Sequence, residues 1–207
     1  MFFHVLVEGV SDVPTVGEIL RRQIGLTAGT HFRVYPHKGK GRIPDDPDAD
    51  PDPKDESLLG LLPAKLRAYG KASRDHCVIV LVDADRDNCL KLKKSILDLW
   101  RGVTPRPKNV LVRIAVEEME SWFIADRAAV KAAYSAANFK PLKGLKPDEI
   151  VGAWEKLAEC LGLDPKQCTG ADKEEWAQNI SPHINLKKPL SPSLGAFIKG
   201  IETHWPQ

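Results

Sequence analysis

The chain has 207 residues, 43% of them hydrophobic and 28% charged, with a formal net charge of +2 at pH 7. This length allows a sizeable core within one ordinary domain, and the composition excludes disordered and fibrous proteins. No apolar run approaches the ~20 residues that a membrane span needs, and residues 1–7 lack the length and basic flank of a signal peptide. A net charge near zero means that any nucleic-acid site must come from local clusters of basic residues.

The four cysteines are scattered, and no two of them form a C-x-x-C pair. A domain that builds its own core does not need cross-links, so we expect reduced and partly buried thiols. Free thiols of this kind favour a cytoplasmic location. The residues are Cys77, Cys89, Cys160 and Cys168.

The first part of the chain alternates apolar and amphipathic segments. Residues 2–7 are rich in β-formers and end at Glu8-Gly9, which predicts a buried strand that runs into a turn. Ser11 is a suitable N-cap for a helix that Gly25 closes. Residues 32–36 predict a second strand, followed by a basic, glycine-rich turn over 37–42.

Residues 44–56 consist almost entirely of Asp and Pro. The segment has no large apolar side chain to bury, so we predict a mobile loop. An amphipathic helix follows from Leu58. Residues 76–82 include five consecutive apolar β-formers and give the strongest strand signal in the chain.

The remaining segments continue the alternation. We predict a helix over 89–100, a strand over 110–116 and a helix over 117–134. The resulting β-α-β-α-β-α-β-α order predicts an α/β fold with a mostly parallel sheet covered by helices on both faces. Shorter helices are expected over 147–161, 173–180 and 193–203. We therefore divide the chain into a core over 1–139 and a C-terminal helical extension over 140–207 that packs on it.

Acidic residues directly follow three of the predicted strands. The carboxyl ends of parallel strands meet at one edge of a sheet, where ligands commonly bind. Carboxylates gathered there repel one another, and their pKa values rise unless a cation lies among them. Oxygen ligands of this kind suit one or two Mg²⁺ or Mn²⁺ ions. The expected metal ligands are Glu8, Asp12, Asp83, Asp85, Glu118 and Glu120.

Each acidic group also has an ordinary explanation. The Asp83–Asp85 pair also suits a solvated strand-to-helix loop in which Asp87 or Asn88 caps the helix. The other acids suit the first turn of a helix, where the helix dipole favours negative charge. We keep these alternatives beside the metal-site hypothesis.

Three known kinds of Asp-x-Asp site fit less well. An EF-hand loop needs Gly and Glu at its sixth and twelfth positions, where this chain has Asn88 and Lys94. The nucleophile of haloacid dehalogenases follows the first strand, whereas this pair follows the third. A glycosyltransferase needs a sugar-nucleotide domain, for which the chain leaves little room.

The order of elements and acids resembles the TOPRIM fold, a Rossmann-like metal-binding module of topoisomerases, primases and overcoming-lysogenization-defect nucleases. The chain is most similar to small stand-alone TOPRIM-like proteins of an uncharacterised bacterial family, often encoded beside an ATPase and suspected in phage defence. The resemblance spans nearly the whole chain. It is carried by Val7-Glu8-Gly9, Gly39-Lys40-Gly41, Val82-Asp83-Ala84-Asp85, Glu118-Met119-Glu120-Ser121-Trp122 with Ala125-Asp126, and Ser191-Pro192-Ser193.

The resemblance to these nucleases implies roles for individual residues. Their Glu-x-x-x-Asp pattern falls on Glu8 and Asp12, their Asp-x-Asp on Asp83 and Asp85, and a later metal-binding acid on Glu120. Glu118 replaces a small hydroxyl residue and adds negative charge. The nucleases also use a lysine to stabilise charge at the scissile phosphate, and Lys173 is our candidate. Glu8 and Lys173 are thus the expected catalytic residues.

These implications predict a metal-dependent nuclease that cuts DNA or RNA and works with an ATPase partner. Phosphate contacts are expected from Lys38, Lys40 and Arg42 in the glycine-rich turn, whose alternative is an ordinary flexible loop. Two other functions stay open. One is a non-catalytic regulatory subunit that binds metal or nucleic acid, and the other is a nucleotidyltransferase of primase type.

Overall fold

The computed structural model describes residues 1–72 and 75–205. Within them, four strands form one all-parallel sheet in the order β2-β1-β3-β4. The two central strands are thus the first and third in the sequence, which places the strand ends that carry Glu8 and Asp83 side by side. The strands are β1 (Phe2–Val7), β2 (Phe32–Pro36), β3 (His76–Asp83) and β4 (Asn109–Ala115).

Helices connect the strands and continue after β4. The α/β class with a parallel, Rossmann-like sheet is confirmed. In the described part of the chain, short 3-10 helices lie at Lys140–Leu142, Pro165–Gln167 and Ser181–His183. The α-helices are α1 (Asp12–Ile24), α2 (Leu58–Gly70), α3 (Cys89–Gly102), α4 (Glu120–Ala125), α5 (Arg127–Ala133), α6 (Ala153–Leu161), α7 (Gly170–Ile180) and α8 (Pro192–His204).

The two faces of the sheet carry different helices. Because side chains alternate along a strand, β3 sends Ile79 and Leu81 to one face and Val80 and Val82 to the other. The first face packs against α1 and α4 to α8, and the second against α2 and α3. β3 is therefore buried on both sides, as its unbroken apolar run predicts.

The chain after residue 139 shares the first of these cores with the sheet. Polar contacts fix its position: the Thr15 hydroxyl lies 2.8 Å from the Ser181 hydroxyl, and the Arg22 guanidinium donates to the carbonyls of Ser181 and Ile184. No helix in the described part of the chain is both long and apolar enough to cross a bilayer. All four cysteines are free of disulfides, as predicted.

Two predicted helices are wrong in extent. The helix expected over 117–134 is two helices, because Asp126 interrupts it and caps the second one through the backbone N–H of Ala129 at 3.0 Å. The helix expected over 147–161 begins only at Ala153. Asp148 and Gly152 have positive φ values of 61° and 68°, which a right-handed helix does not allow.

The Asp/Pro segment over 44–56 contains no helix or strand, as expected. It is attached to α2 by Arg67, whose guanidinium donates to the carbonyls of Pro47 and Ala49. Arg67 also lies 3.7 Å from the carboxylate of Asp48. These contacts attach residues 47–49 of the Asp/Pro segment to α2. The mobility of the segment stays a prediction.

Candidate functional site

Two of the predicted acids meet at the carboxyl end of the sheet. Asp83 is the last residue of β3, and Glu8 follows the neighbouring β1. The backbone N–H of Asp83 donates a 2.7 Å hydrogen bond to Oε1 of Glu8. Residues 75 positions apart in the sequence are therefore in direct contact.

Asp12 joins them from the first turn of α1. Its side chain is 9% exposed, and Oδ2 accepts a 2.9 Å hydrogen bond from the backbone N–H of Gly9. Ser11, the predicted N-cap, makes no capping hydrogen bond with its side chain. The β1–α1 turn thus holds Asp12 by its own backbone and fixes the carboxylate next to Glu8.

Asp83 lies at the centre of the acidic cluster. Because side chains alternate along β3, Asp83 lies on the same face of the sheet as Ile79 and Leu81, which α1 and α4 cover. Burial raises the pKa of Asp83 well above its usual value, and the charges of Asp12, Glu8, Glu120 and Glu118 raise it further. An ionised Asp83 is therefore disfavoured until a positive charge compensates it.

The other two acids come from the segment after β4. Glu120 is the first residue of α4 and is only 6% exposed. Glu118 is fixed by the backbone N–H of Trp154, which donates to its Oε2 at 3.0 Å. Burial is the main reason that the pKa of Glu118 rises to about 7, and the neighbouring charge of Glu120 adds to it.

Glu8 and Asp12 also resist ionisation. Burial raises the pKa of Glu8 to about 8 and that of Asp12 to about 7. Negative neighbours add to both shifts: Asp85 and Asp12 act on Glu8, and Glu120 acts on Asp12. The hydrogen bonds from Asp83 and Gly9 only partly offset this effect. At neutral pH the cluster must either keep protons or bind a cation.

Lys173, the lysine chosen by resemblance, lies at this cluster. Its Nζ is 3.5 Å from Oε1 of Glu120 and 4.8 Å from the ring centre of Trp154, and its side chain is 27% exposed. Lys173 thus forms a cation–π contact with the Trp154 ring and an ion pair with Glu120. Trp154 holds two site residues, since its backbone also binds Glu118, and sequence reasoning gave no signal for it.

Asp85 lies in a separate group. Its backbone has a positive φ of 48°, and its carboxylate is 2.6 Å from Nζ of Lys40. The same ammonium lies 2.8 Å from Asp87 and 3.2 Å from the backbone carbonyl oxygens of Asp83 and Ala84. Lys40 therefore cross-links the turn after β3, because its ammonium binds side-chain and backbone oxygens of residues 83–87.

This arrangement differs from the phosphate-binding role predicted for the basic turn. Lys40 is already surrounded by four oxygens, and Lys38 forms a 2.5 Å ion pair with Glu56, while Arg42 is exposed. Burial lowers the pKa of Lys40, but the hydrogen bonds to Asp85 and Asp87 outweigh it and the net shift is upward.

In the sequence, the glycines on either side of Lys40 indicate that this lysine lies in a tight turn. A Cβ on Gly41 would lie 1.9 Å from Oγ of Ser57, and the residue has a φ of 64°. Gly39 also has a positive φ, of 87°. The two glycines thus allow the backbone conformation in which the lysine reaches the Asp83–Asp87 segment.

The late Ser191-Pro192-Ser193 motif supports α4 and does not enter the cluster. Asp148 accepts hydrogen bonds of 2.7 Å from the Ser191 hydroxyl and from the Ser193 backbone N–H. The Ser193 hydroxyl in turn lies 2.8 Å from Nε1 of Trp122, which is fully buried. The motif anchors the indole that lies two residues after Glu120.

Over residues 1–72 and 75–205, no group of three or more His, Cys, Asp or Glu side chains is already arranged to hold a metal ion. No curated protein and no solved structure shows a significant match to the chain. The TOPRIM resemblance therefore stays a prediction. One family model does match, over residues 7–202, and its description is a domain of unknown function, DUF4276. Because this match covers nearly the whole chain, the protein belongs to the DUF4276 family.

Proposed function

We propose that this protein is a nuclease that hydrolyses phosphodiester bonds in DNA or RNA with the help of a divalent cation. One observation carries the proposal: half-buried carboxylates from the ends of neighbouring strands converge beside the buried Asp12 and Glu120, with Asp83 donating its backbone N–H to Glu8. Burial raises the pKa values of Asp83 and Glu8, and the charge of Asp12 raises both further, with Glu120 adding to the shift of Asp83. Such an arrangement is costly for a fold unless it serves to bind positive charge.

The donor set fits Mg²⁺ or Mn²⁺. It consists of carboxylate oxygens, which hard cations prefer, and burial first and neighbouring negative charges second raise the pKa values of Glu8, Asp12 and Asp83. Glu8, Asp12, Asp83 and Glu120 are the residues that would hold the cation, and Glu118 lies close enough to Glu120 to feel its charge. Since the side chains are not yet in metal-binding geometry, they would have to move closer together.

The chain's own residues have separable tasks in this proposal. A bound cation would supply the Lewis acid that polarises a phosphodiester. Oε1 of Glu8 is occupied by the N–H of Asp83, which leaves Oε2 for a cation or a proton. Lys173, held between Glu120 and Trp154, is placed to donate to a phosphate oxygen as negative charge develops there.

The test is cleavage of supercoiled plasmid, linear DNA and single-stranded RNA by the purified protein in Mg²⁺, Mn²⁺ or EDTA. We expect cleavage in Mn²⁺ or Mg²⁺ that Glu8→Gln and Asp83→Asn abolish. Asp98→Asn is the matched control, because Asp98 is an exposed acid on α3 that pairs with Lys94 and Arg101. It should cut like the wild type.

Two other results would point to the alternative functions. Cation binding without cleavage of any substrate would contradict the nuclease and favour a binding subunit. Incorporation of nucleotides into a primer would favour a nucleotidyltransferase.

We also propose, from the resemblance alone, that the nuclease works in the cytoplasm with an ATPase partner. Faster, ATP-dependent cleavage on addition of an ATPase from a neighbouring gene would support this. Cleavage that is indifferent to that protein would contradict it.

A further inference from the structure

A basic groove runs along β4, which is an edge strand of the sheet. It lies between α3 and α8 and has a volume of about 500 Å³. Three cations line it: Lys93 from α3, Arg113 from β4 and Lys199 from α8. We define the basic groove by these three side chains.

The charge of the basic groove is not compensated by nearby acids. Of the ion pairs in the described part of the chain, none involves Lys93, Arg113 or Lys199. The hydrogen bonds of Arg113 go to the carbonyls of Ala196 and Val112, at 2.8 and 2.9 Å. These bonds orient the guanidinium without neutralising it.

Two further observations agree with an excess of positive charge. Burial lowers the pKa of Lys93, and the like charge of Arg113 lowers it further. Among the lining residues that the structure describes, Asp148 is the one acid, and both of its oxygens accept hydrogen bonds, from Ser191 and Ser193. The groove is therefore attractive to an anion.

The position of the groove connects it with the acidic cluster. Val116, which lines it, is followed in the chain by Glu117 and Glu118. Cys89, which also lines it, opens α3 directly after the turn that carries Asp83 to Asp87. The groove thus opens at the end of the sheet where the carboxylates converge.

We infer that the basic groove binds the sugar–phosphate backbone of a nucleic-acid strand and guides it towards the acidic cluster. This inference rests on the proposed nuclease function and names the surface that its substrate uses. None of the described lining residues is aromatic, so bases have no ring to stack on. Binding should therefore depend on salt and not on sequence.

The test is binding of labelled single-stranded and duplex oligonucleotides of two unrelated sequences, in EDTA and at several salt concentrations. Without divalent cations, binding is measured apart from cleavage. The variants are Lys93→Ala, Lys199→Ala and the double substitution, because neither side chain forms an ion pair or a hydrogen bond in the described structure. Lys166→Ala is the control, because Lys166 is an exposed lysine on the 3-10 helix Pro165–Gln167 and does not line the groove. Thermal unfolding verifies that each variant is folded.

We expect the double variant to bind both sequences equally weakly. The slope of log K against log salt should fall by about 1.8 on duplex and about 1.4 on single strands, since two phosphate contacts are lost. Unchanged slopes, or an equal effect of Lys166→Ala, would overturn the inference. Equal competition by a polyglutamate peptide would do so as well, because the groove would then serve acidic proteins.

The nuclease proposal and the basic-groove proposal can be rejected by different results. Asp83→Asn lies outside the basic groove and should keep binding in EDTA while it loses cleavage. Salt-dependent binding through the groove without cleavage in any cation would reject the nuclease and retain the groove.

Discussion

The acids at the carboxyl end of the sheet form two groups that differ in how their charge is balanced. Asp85 and Asp87 are exposed and share the ammonium of Lys40. Asp83 and Glu8 lie deeper, and no lysine forms an ion pair with either of them among the described residues. Asp85 and Asp87 are thus balanced by their own lysine. The five acids of the cluster (Glu8, Asp12, Asp83, Glu118 and Glu120) share one ion-paired lysine among the described residues, Lys173, and need an external cation. The difference separates structural acids from candidate ligands.

The largest effect should come from Asp83. Asp83→Asn keeps the size of the side chain and removes a central carboxylate, so cleavage should fall by at least about 10²-fold. Asp87→Asn should change it by less than about threefold, because Lys40 retains three other oxygens. Rates of plasmid nicking in Mn²⁺ measure both. Equal losses of cleavage in Asp83→Asn and Asp87→Asn would show that the two groups of acids do not differ in function.

The second prediction concerns pH. In EDTA the folded protein keeps a proton on Glu8 up to about pH 8 and on Asp12 up to about pH 7, whereas the unfolded chain releases them near pH 4 to 4.5. The folded state then binds more protons, so its stability falls as pH rises through this window.

Thermal unfolding at pH 5 and pH 8 in EDTA tests this. We expect a Tm that is lower at pH 8 by more than about 5 °C, and a recovery with Mn²⁺ that is larger at pH 8 than at pH 5. Glu8→Gln should flatten the profile. A Tm that rises steadily from pH 5 to pH 8 would show that the pKa values of Glu8 and Asp12 are not raised in the folded protein.

The third prediction concerns the balanced group. Lys40→Met leaves Asp85, Asp87 and two backbone carbonyls without their cation, and the lysine side chain is only 15% exposed. The free energy of unfolding should fall by about 1–3 kcal/mol. Lys38→Met is the matched control, because its pair with Glu56 is exposed and should contribute less than about 1 kcal/mol.

Urea unfolding measures both values. If Lys40→Met were as harmless as Lys38→Met, the ammonium would not be holding the turn.

The smallest effect should come from Trp154. Trp154→Leu removes the ring beneath Lys173 and keeps the backbone N–H that binds Glu118. Loss of about 0.5–1 kcal/mol of cation–π interaction should reduce cleavage about two- to fivefold. Trp154→Phe retains a ring and should lose less. A loss as large as that of Asp83→Asn would mean that Trp154 supports the fold and not only Lys173.

The alternating strands and the position of the acids could be predicted from the sequence. β2 and the start of β3 lie where predicted, and the strand ends bring Glu8 and Asp83 together. These features follow from local apolar patterns and from the geometry of parallel sheets. Lys173 was found through resemblance, and it lies 3.5 Å from Glu120.

The remaining features depend on contacts between distant segments. Apolar periodicity continues past Asp126, and the helix breaks because Asp126 also accepts the backbone N–H of Asn185 at 2.8 Å. Lys40 was predicted to bind phosphate, since the glycines beside it indicate a tight turn but not that the lysine reaches the segment after β3. No pattern distinguishes Trp154 before α6 is placed beside α4.

The hydrogen bond between Glu8 and position 83 has a consequence for how the family can diverge. Its donor is a main-chain group, so any amino acid except proline at that position preserves it. A single replacement of the aspartate thus removes a carboxylate while Glu8 stays anchored and the strands stay in register. Under the proposed function, one codon change at position 83 would therefore give a protein that keeps its fold and no longer holds the cation.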